Sequence, residues 1–242
     1  MTKFLTALPV YNELKSVNRV LDEVVRYAKD VLVVDDGSTD GTSELLERRD
    51  DIILLPHETN RGYGSGLISA FEFAMAHGYD LLVTIDCDGQ HEPQRIRDFV
   101  KEYERTGADI ISGSRYLKSF GENTVVPIER RRINHHVTEV LNARLQLNLT
   151  DAFCGFKSYK VDSLANLRLT ETGYAMPLEL WVQAACHEFD IIEYAVPLIY
   201  LDATRSFGGV LDDGDTRLKH YMNVIDHALA ALPKDCAKLG NR

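Results

Sequence analysis

The stretch LLVTIDCDGQHEP, residues 81–93, is the part of the chain from which its fold can be inferred. Residues 81–85 form an apolar run of the kind found in a strand that is buried on both faces of a parallel sheet. Asp86 and Asp88 follow this run, Gln90 comes two residues later, and Pro93 suits the start of a helix. In open α/β sheets ligands bind outside the carboxyl ends of the strands, so the two acids lie where a site is expected.

The residue types after this strand suit a divalent cation. Asp86 and Asp88 offer hard carboxylate oxygens, and Gln90 adds an amide oxygen nearby. Such ligands favour Mg²⁺ or Mn²⁺ shared with a diphosphate. Taken alone, Asp-x-Asp-Gly is equally consistent with a solvated turn, because Asp and Gly are common turn formers. The flanking strands decide between these two interpretations.

The composition fits a soluble globular protein and limits its partners. With 242 residues, 45% hydrophobic and 26% charged, the chain can form one α/β domain with a full core, or a domain with a C-terminal extension. Its 27 basic and 37 acidic residues give a net charge of −10, which argues against nucleic-acid binding. An anionic ligand must therefore be held by local basic clusters or by a metal.

The cysteines and the hydropathy pattern predict a cytoplasmic protein. Cys87, Cys154, Cys186 and Cys236 are widely spaced and form no C-x-x-C pair, so neither a disulfide framework nor a zinc ribbon is expected. We find no signal-peptide pattern in residues 1–30 and no apolar run near the roughly 20 residues of a membrane span. We expect a cytoplasmic enzyme that is at most peripheral at the inner face of the membrane.

Strand and helix patterns alternate through the first half of the chain. Buried strands are predicted at 4–10, 31–34, 52–55, 81–85 and 108–112, with amphipathic helices between most of them. This alternation predicts an α/β fold with a mostly parallel central sheet flanked by helices. The loop NRGYGSG at 60–66 lacks the third glycine of a dinucleotide fingerprint and follows a third strand, which disfavours a dehydrogenase or P-loop enzyme.

The pattern is less regular after residue 116. We predict helices at 133–145, 161–167, 178–186 and 216–232, and an edge or bulged strand at 191–201 that contains Pro197. A loop rich in Gly and Asp at 202–215 is a candidate mobile segment. We therefore expect one domain over residues 1–215, with a nucleotide-binding half at about 1–115 and an acceptor half at about 116–215. A C-terminal helix within 216–242 would pack on or beside it.

Acidic residues follow three of the predicted strands. They are Glu13 after the first, Asp35 and Asp36 after the second, and Asp86 and Asp88 after the fourth. Because neighbouring strand ends share one edge of a parallel sheet, these groups should converge on one crevice. Such a crevice suits a base and ribose at one end and a metal-bridged diphosphate at the other.

Six motifs occur in an order that resembles the family 2 glycosyltransferases, within them the dolichyl-phosphate mannose synthase and polyprenyl-phosphate glycosyltransferase branch. They are PVYNE (9–13), VDDGSTDGT (34–42), NRGYGSG (60–66), DCDGQH (86–91), GSRY (113–116) and DAFCGFK (151–157). The resemblance covers about residues 4–160. It implies a single domain of the GT-A type, a Rossmann-like fold.

The resemblance also implies a donor site. Its nucleotide-binding residues would be Pro9, Tyr11, Glu13, Asp35, Asp36, Arg61 and Asp86. Among these, Asp35 and Asp36 would hydrogen-bond the base or ribose. Arg61 is the nearest cation of the glycine-rich loop, where the family often carries a lysine. The Mg²⁺ or Mn²⁺ ligands would be Asp86, Asp88 and Gln90.

On the acceptor side the resemblance implies a set of arginines. Arg115 and the basic run containing Arg131 and Arg132 would receive the acceptor phosphate, and Arg205 would close over the donor diphosphate. The implied reaction is inverting transfer of a hexose, mannose or glucose, from a nucleoside-diphosphate sugar to a polyprenyl or dolichyl phosphate. GDP-mannose is the first candidate donor and a UDP-sugar the second.

Alternatives remain open at this point. A lipid phosphate is already anionic and needs no general base, whereas a sugar hydroxyl of a glycan would need one, for which Asp151 is the candidate. A nucleotidyltransferase would carry a basic glycine-rich loop after the first strand, where Tyr11-Asn-Glu13 stands instead. A non-catalytic scaffold of the same fold would be expected to have lost its metal ligands, and Asp86 and Asp88 are intact.

Overall fold

The computed structural model describes residues 2–121, 127–201, 209–233 and 236. Within these residues one sheet is formed by β1 (Phe4–Val10), β2 (Val31–Asp35), β3 (Ile53–Pro56), β4 (Leu81–Thr84), β5 (Ile110–Ser114), β6 (Lys157–Lys160) and β7 (Ile191–Ala195). The strand order is β3-β2-β1-β4-β6-β5-β7. All pairs are parallel except those of β6 with β4 and β5. The predicted α/β class with a mostly parallel sheet is confirmed.

Helices cover both faces of the sheet. They are α1 (Val17–Val24), α2 (Thr42–Leu46), α3 (Tyr63–Ala76), α4 (Ile96–Thr106), α5 (Ile128–Leu145), α6 (Val161–Leu164), α7 (Met176–Cys186) and α8 (Gly214–Ala231). Alternate residues of β1 enter different cores, since Leu5 packs with α3 and α7 whereas Leu8 packs with α1 and α4. The central strands are therefore apolar on both faces, which explains their continuous apolar runs.

Strand β6 was not predicted from the sequence, because KSYK reads as polar. Lys157 is nevertheless 2% exposed. Its ammonium donates a hydrogen bond to the Cys154 carbonyl and lies 5.5 Å from the centroid of the Trp181 ring. Those long-range contacts allow a lysine to occupy a central strand. The strand predicted at 191–201 ends at Ala195, two residues before Pro197, and lies at the edge of the sheet.

The terminal helix α8 packs against α5 and α7 through Tyr221, Val224 and Ile225. This packing brings the end of α7 close to the chain beyond α8, where Cys186 and Cys236 form a disulfide with a Cα–Cα distance of 5.2 Å. The sequence analysis, which expected no disulfide framework, missed this bond because the two cysteines are 50 positions apart in the sequence. None of the helices in the described part of the chain has the length and apolarity to cross a bilayer.

Candidate active site

The loops after β1 and β2 are hydrogen-bonded to each other at the carboxyl edge of the sheet. Asn12 adopts a left-handed backbone conformation with φ of 55°, which asparagine tolerates. Its backbone N–H donates to Ser38 Oγ over 2.9 Å, and its side-chain oxygen accepts from the Thr39 N–H over 2.8 Å. Because β4 is the other neighbour of β1, the loops carrying Glu13, Asp36 and Asp86 meet at one edge, as the sequence predicted.

Asp36 holds the glycine-rich loop in place. Its buried carboxylate accepts hydrogen bonds from the backbone N–H of Arg61 at 2.9 Å and of Gly62 at 2.8 Å. His57 Nδ1 lies 2.7 Å from the same carboxylate. Gly62 cannot be larger, because a Cβ there would lie 2.4 Å from the Thr172 carbonyl oxygen. Asp36 thus shapes the loop that should border the nucleotide, and its direct bond to base or ribose stays a prediction.

Asp35 is engaged in a similar way within its own loop. Its carboxylate accepts from the Ser38 N–H over 3.1 Å and from the Ser43 hydroxyl. The other predicted nucleotide residues lie around the same edge: Tyr11 is 44% exposed, and Arg61 is also exposed. Pro9 lies against the glycine-rich loop, 3.1 Å from where a Cβ on Gly66 would be.

Asp86 is held from three sides. The Tyr63 hydroxyl donates to Asp86 Oδ1 over 2.9 Å, and His91 Nε2 lies 3.2 Å from Oδ2. Gly155 packs against the carboxylate so closely that a Cβ there would lie 2.1 Å from Oδ2. The Tyr63 ring stacks on Tyr174, with centroids 5.6 Å apart. Burial, followed by the charge of Asp86, raises the pKa of Tyr63 well above its ordinary value, so this phenol remains a hydrogen-bond donor.

Replacing Tyr63 with phenylalanine should keep the ring packing but remove the hydrogen bond to Asp86. We expect about 1 kcal/mol of lost stability and about tenfold weaker Mn²⁺ binding in the presence of GDP, because Asp86 loses its orientation. The measurement is the Mn²⁺ dependence of the melting temperature. Tyr27→Phe is the control, since Tyr27 lies at the far end of α1 beside Arg97. An unchanged Mn²⁺ affinity in Tyr63→Phe would contradict this role.

Asp88 and Gln90 form a tight turn. The Gln90 backbone N–H donates to Asp88 Oδ1 over 2.9 Å, and its side-chain Nε2 donates to Oδ2 over 2.8 Å. Nearby, His91 Nδ1 is a buried ring nitrogen without a hydrogen-bond partner. The two carboxylates and the Gln90 amide oxygen are donors of the type that a divalent cation prefers, whereas His91 Nδ1 lies on the side of the ring away from Asp86. Among the described residues no three His, Cys, Asp or Glu side chains form a complete cage, so diphosphate and water would supply further ligands.

Arg115 and Asp151 form a bidentate ion pair across the other side of this edge. Arg115 Nε lies 2.6 Å from Oδ2 and Nη2 lies 2.9 Å from Oδ1 of Asp151. Asn134 donates to Oδ1 as well, over 2.9 Å. The Asp151 side chain is fully buried, whereas that of Arg115 is 24% exposed. The bidentate contact therefore fixes the orientation of the guanidinium, and part of the Arg115 side chain remains exposed.

The structure brings two of the predicted acceptor arginines together. The guanidiniums of Arg115 and Arg131 lie 5.9 and 5.8 Å from the centroid of the Tyr116 ring. Arg131 and Arg132 are both exposed near the start of α5. Arg205 lies outside the described residues. One of the acidic residues that follow it has a structural use: Asp213 caps α8 by accepting from the Thr216 N–H over 2.8 Å.

The prediction of Asp151 as a general base is not supported by this geometry. Burial alone would raise the pKa of Asp151, but the charge and hydrogen bonds of Arg115, together with Asn134, lower it to about 2. A carboxylate with that pKa is a weak proton acceptor at neutral pH, and its oxygens already face protein donors. Asp151 is instead a fixed counter-ion for Arg115. The sequence placed both residues at the site, but it could not show that they form a pair.

The same ion pair predicts an acid limit of stability. The folded pKa of Asp151, about 2, lies below the ordinary value of 3.8. The contribution of its ionised carboxylate to the free energy of unfolding is therefore complete above about pH 4 and is lost as the pH falls through 2. We expect urea unfolding to show about 2 kcal/mol of pH-dependent stability from this group. The variant Asp151→Asn should lack this pH-dependent stability, whereas Asp162→Asn, at an exposed position, should keep it. Identical pH slopes in all three proteins would contradict the assignment.

A mostly parallel sheet with an Asp-x-Asp loop beyond β4 is the arrangement that the GT-A type fold predicts. The chain belongs to Glycosyl transferase family 2, whose sequence profile matches residues 6–168. This confirms the resemblance seen in the six motifs, and it makes the protein a glycosyltransferase.

Two relatives are similar over most of their length. Undecaprenyl-phosphate mannosyltransferase of Micrococcus luteus is 31% identical over 95% of both chains. Polyprenol monophosphomannose synthase of Mycolicibacterium smegmatis is 27% identical over 82% of this chain and 77% of that one. Both names refer to mannose and to a polyprenyl acceptor.

Solved structures confirm the fold. Glucosyl-3-phosphoglycerate synthase of Mycobacterium tuberculosis superimposes with a TM-score of 0.72 at 16% identity, covering 96% of this chain and 82% of that one. The same synthase has been solved with Mn²⁺, UDP and phosphoglyceric acid, with a TM-score of 0.70, 16% identity, and coverage of 96% and 80%. At this identity the likeness shows the fold alone.

Proposed function

We propose that this protein is a metal-dependent, inverting transferase that moves a hexose from a nucleoside-diphosphate sugar to a polyprenyl phosphate. Mannose from GDP-mannose is the first candidate and a UDP-sugar the second. The observation that carries the proposal is the placement of the Asp86–Asp88 loop and the fixed Arg115 at one edge of the sheet. The names of both relatives support the acceptor class and the sugar.

The donor half would be formed by the loops after β1, β2 and β4. Pro9, Tyr11 and Glu13 would border the nucleotide, with Asp35 and Asp36 on the base or ribose side and Arg61 near the phosphates. Asp86, Asp88 and Gln90 would hold Mg²⁺ or Mn²⁺. When bound, the cation would neutralise charge on the leaving diphosphate. The solved synthase with bound Mn²⁺ and UDP supports a metal in this fold.

The acceptor half would need no proton transfer. A lipid phosphate is anionic at neutral pH, so Arg115 and Arg131, with Arg132 nearby, only have to bind it and orient one oxygen for in-line attack on the anomeric carbon. In-line displacement inverts that carbon. Arg205 would close over the donor diphosphate. This division assigns the donor to about residues 1–115 and the acceptor to about 116–215, with the C-terminal helix beside them.

A lipid acceptor also has a consequence for location. The polyprenyl chain is anchored in the bilayer, so the enzyme would work at the membrane surface, at the cytoplasmic face in our proposal. The exposed arginines at the start of α5 would favour an anionic surface there.

The alternative of a hydroxyl acceptor is weaker, because it needs a general base and Asp151 is a buried counter-ion with a pKa of about 2. A non-catalytic scaffold is disfavoured by the retained Asp86 and Asp88 and by the hydrogen bond from Tyr63 that orients Asp86.

The test is a transfer assay with the purified chain. GDP-mannose or UDP-glucose is supplied with a polyprenyl phosphate in detergent, with Mn²⁺ or with EDTA, and lipid-linked products are identified by mass spectrometry. We expect product with one donor, only with metal, and none with Asp88→Ala. Asp50→Ala, an exposed acid far from the site, is the control. A parallel assay supplies a glycan in place of the lipid: transfer to its hydroxyl but not to lipid phosphate would overturn the acceptor assignment, and no transfer from either donor to either acceptor would favour the scaffold.

A further inference from the structure

Glu193, on the edge strand β7, holds the segment that carries Asp151. Its carboxylate accepts from the Thr150 backbone N–H at 2.8 and 2.9 Å, from the Thr150 hydroxyl at 2.8 Å, and from the Asp151 backbone N–H at 3.1 Å. Residues 146–151 form no helix or strand, so side chains satisfy their backbone groups: Asn142 exchanges two hydrogen bonds with Leu149, and Glu193 holds residues 150 and 151. One carboxylate thus satisfies three donors.

Two routes lead from this carboxylate to Arg115. In the first, the Asp151 backbone is held by Glu193 while the Asp151 side chain holds the Arg115 guanidinium at 2.6 and 2.9 Å. In the second, the Thr150 hydroxyl contacts both Glu193 and Ser114 Oγ, at 2.8 and 2.5 Å, and Ser114 directly precedes Arg115. Both the backbone and the side chain of Arg115 are therefore connected to Glu193.

Glu193 lies on the edge strand of the sheet, beside a cavity that is open to solvent. Glu193 lies in β7, paired opposite Ser112 of β5, and it lines a surface cavity of about 390 Å³ together with Leu117, Leu149 and Phe189. Burial raises the pKa of Glu193, while its bonds from Thr150 and Asp151 act in the opposite direction. Because the cavity admits solvent, water can replace a missing carboxylate, and substitutions at 193 should leave the fold intact.

We propose that Glu193 is a positioning residue that sets the guanidinium of Arg115 for the acceptor phosphate. This inference rests on the function proposed above for Arg115. Glu193 itself touches neither substrate. A loop without regular structure would let Asp151 move, and a guanidinium that follows a moving counter-ion would bind the phosphate in several orientations. When the Glu193 carboxylate fixes the loop, Asp151 stays in place and the Arg115 guanidinium is restricted to one orientation.

The experiment compares Glu193→Gln and Glu193→Ala with the wild type and with Glu188→Gln, an exposed glutamate five residues earlier. The first measurement is the rate at which phenylglyoxal modifies Arg115, followed by peptide mass spectrometry. It needs no activity. The second measurement is the separate KM values for the sugar donor and for farnesyl phosphate, a soluble lipid phosphate.

We expect Glu193→Ala to raise the modification rate of Arg115 about fivefold or more, with a smaller rise in Glu193→Gln, whose amide oxygen keeps part of the acceptor capacity. Glu188→Gln should match the wild type. The KM for farnesyl phosphate should rise by a similar factor, with the donor KM within about twofold.

Two outcomes would overturn the proposal: an unchanged modification rate at Arg115 in Glu193→Ala, or equal rises of the two KM values. Failure of the proposed function looks different. In that case the wild type transfers nothing to farnesyl phosphate, while the modification rates still show whether Glu193 orders Arg115.

Discussion

Replacing Arg115 with alanine is expected to destabilise the fold by about 3–5 kcal/mol, because it leaves the fully buried Asp151 carboxylate without its cation. Three donors besides Arg115's side chain remain: Asn134 Nδ2 and the backbone N–H groups of residues 115 and 153. Their hydrogen bonds reduce the destabilisation, but they supply no positive charge to balance the carboxylate. Urea unfolding monitored by Trp181 fluorescence measures the change in the free energy of unfolding.

The functional part of this prediction needs a second variant, because a destabilised enzyme also loses activity. In Arg115→Ala/Asp151→Asn both charges are gone, so most of the stability should return. Transfer to the lipid phosphate should nevertheless stay reduced by about 10²–10³, since the group that orients the acceptor is absent. Arg105→Ala, on the exposed face of α4, should leave stability and transfer near wild type. Recovery of transfer in the double variant would mean that Arg115 serves only to neutralise Asp151.

The substitution Gly155→Ala is expected to disable the proposed metal site while sparing the fold. A Cβ at this position would lie 2.1 Å from Oδ2 and 2.5 Å from Cγ of Asp86. The carboxylate sits at the end of a rotatable side chain, so it can turn away, but it then loses the 2.9 Å hydrogen bond from Tyr63 and the contact with His91. We expect Mn²⁺ affinity in the presence of GDP to fall on the order of a hundredfold.

The measurement is a Mn²⁺ titration followed by melting temperature, so it does not depend on turnover. Gly78→Ala is the control. It introduces strain at a φ of 62° and costs about 1 kcal/mol, but nothing lies within 4 Å of its Cβ. If Gly155→Ala binds Mn²⁺ as the wild type does, then Asp86 is not held where the metal needs it.

The strands of the proposed donor side, and the acids at their carboxyl ends, could be predicted from the sequence because the information is local. The run 81–85 and the acids that follow it identify a buried strand and the groups at its carboxyl end, and the same reasoning applies to Asp35 and Asp36. Parallel order then brings these ends together. What the sequence could not supply was the orientation of each carboxylate, which depends on Tyr63, His91 and Gly155.

The acceptor side was less predictable because its contacts join distant residues. Asp151 pairs with Arg115 from 36 residues away, and Glu193 reaches Thr150 from 43 residues away. No periodic pattern within a short stretch of sequence indicates a contact between residues so far apart. A polar strand such as KSYK is hard to predict for the same reason. Lys157 can be buried there because its ammonium donates to the Cys154 carbonyl and lies over the Trp181 ring.

The antiparallel strand β6 has a consequence for how the molecule is assembled. β4 and β5 do not pair with each other, and each is hydrogen-bonded to β6. The sheet is therefore two pieces, β3-β2-β1-β4 and β5-β7, joined by one strand that is synthesised after both β4 and β5. A nascent chain or fragment that stops before residue 150 can pair the first four strands. It has neither Gly155 against Asp86 nor Asp151 against Arg115, so the proposed donor and acceptor sides can be joined only once β6 has docked.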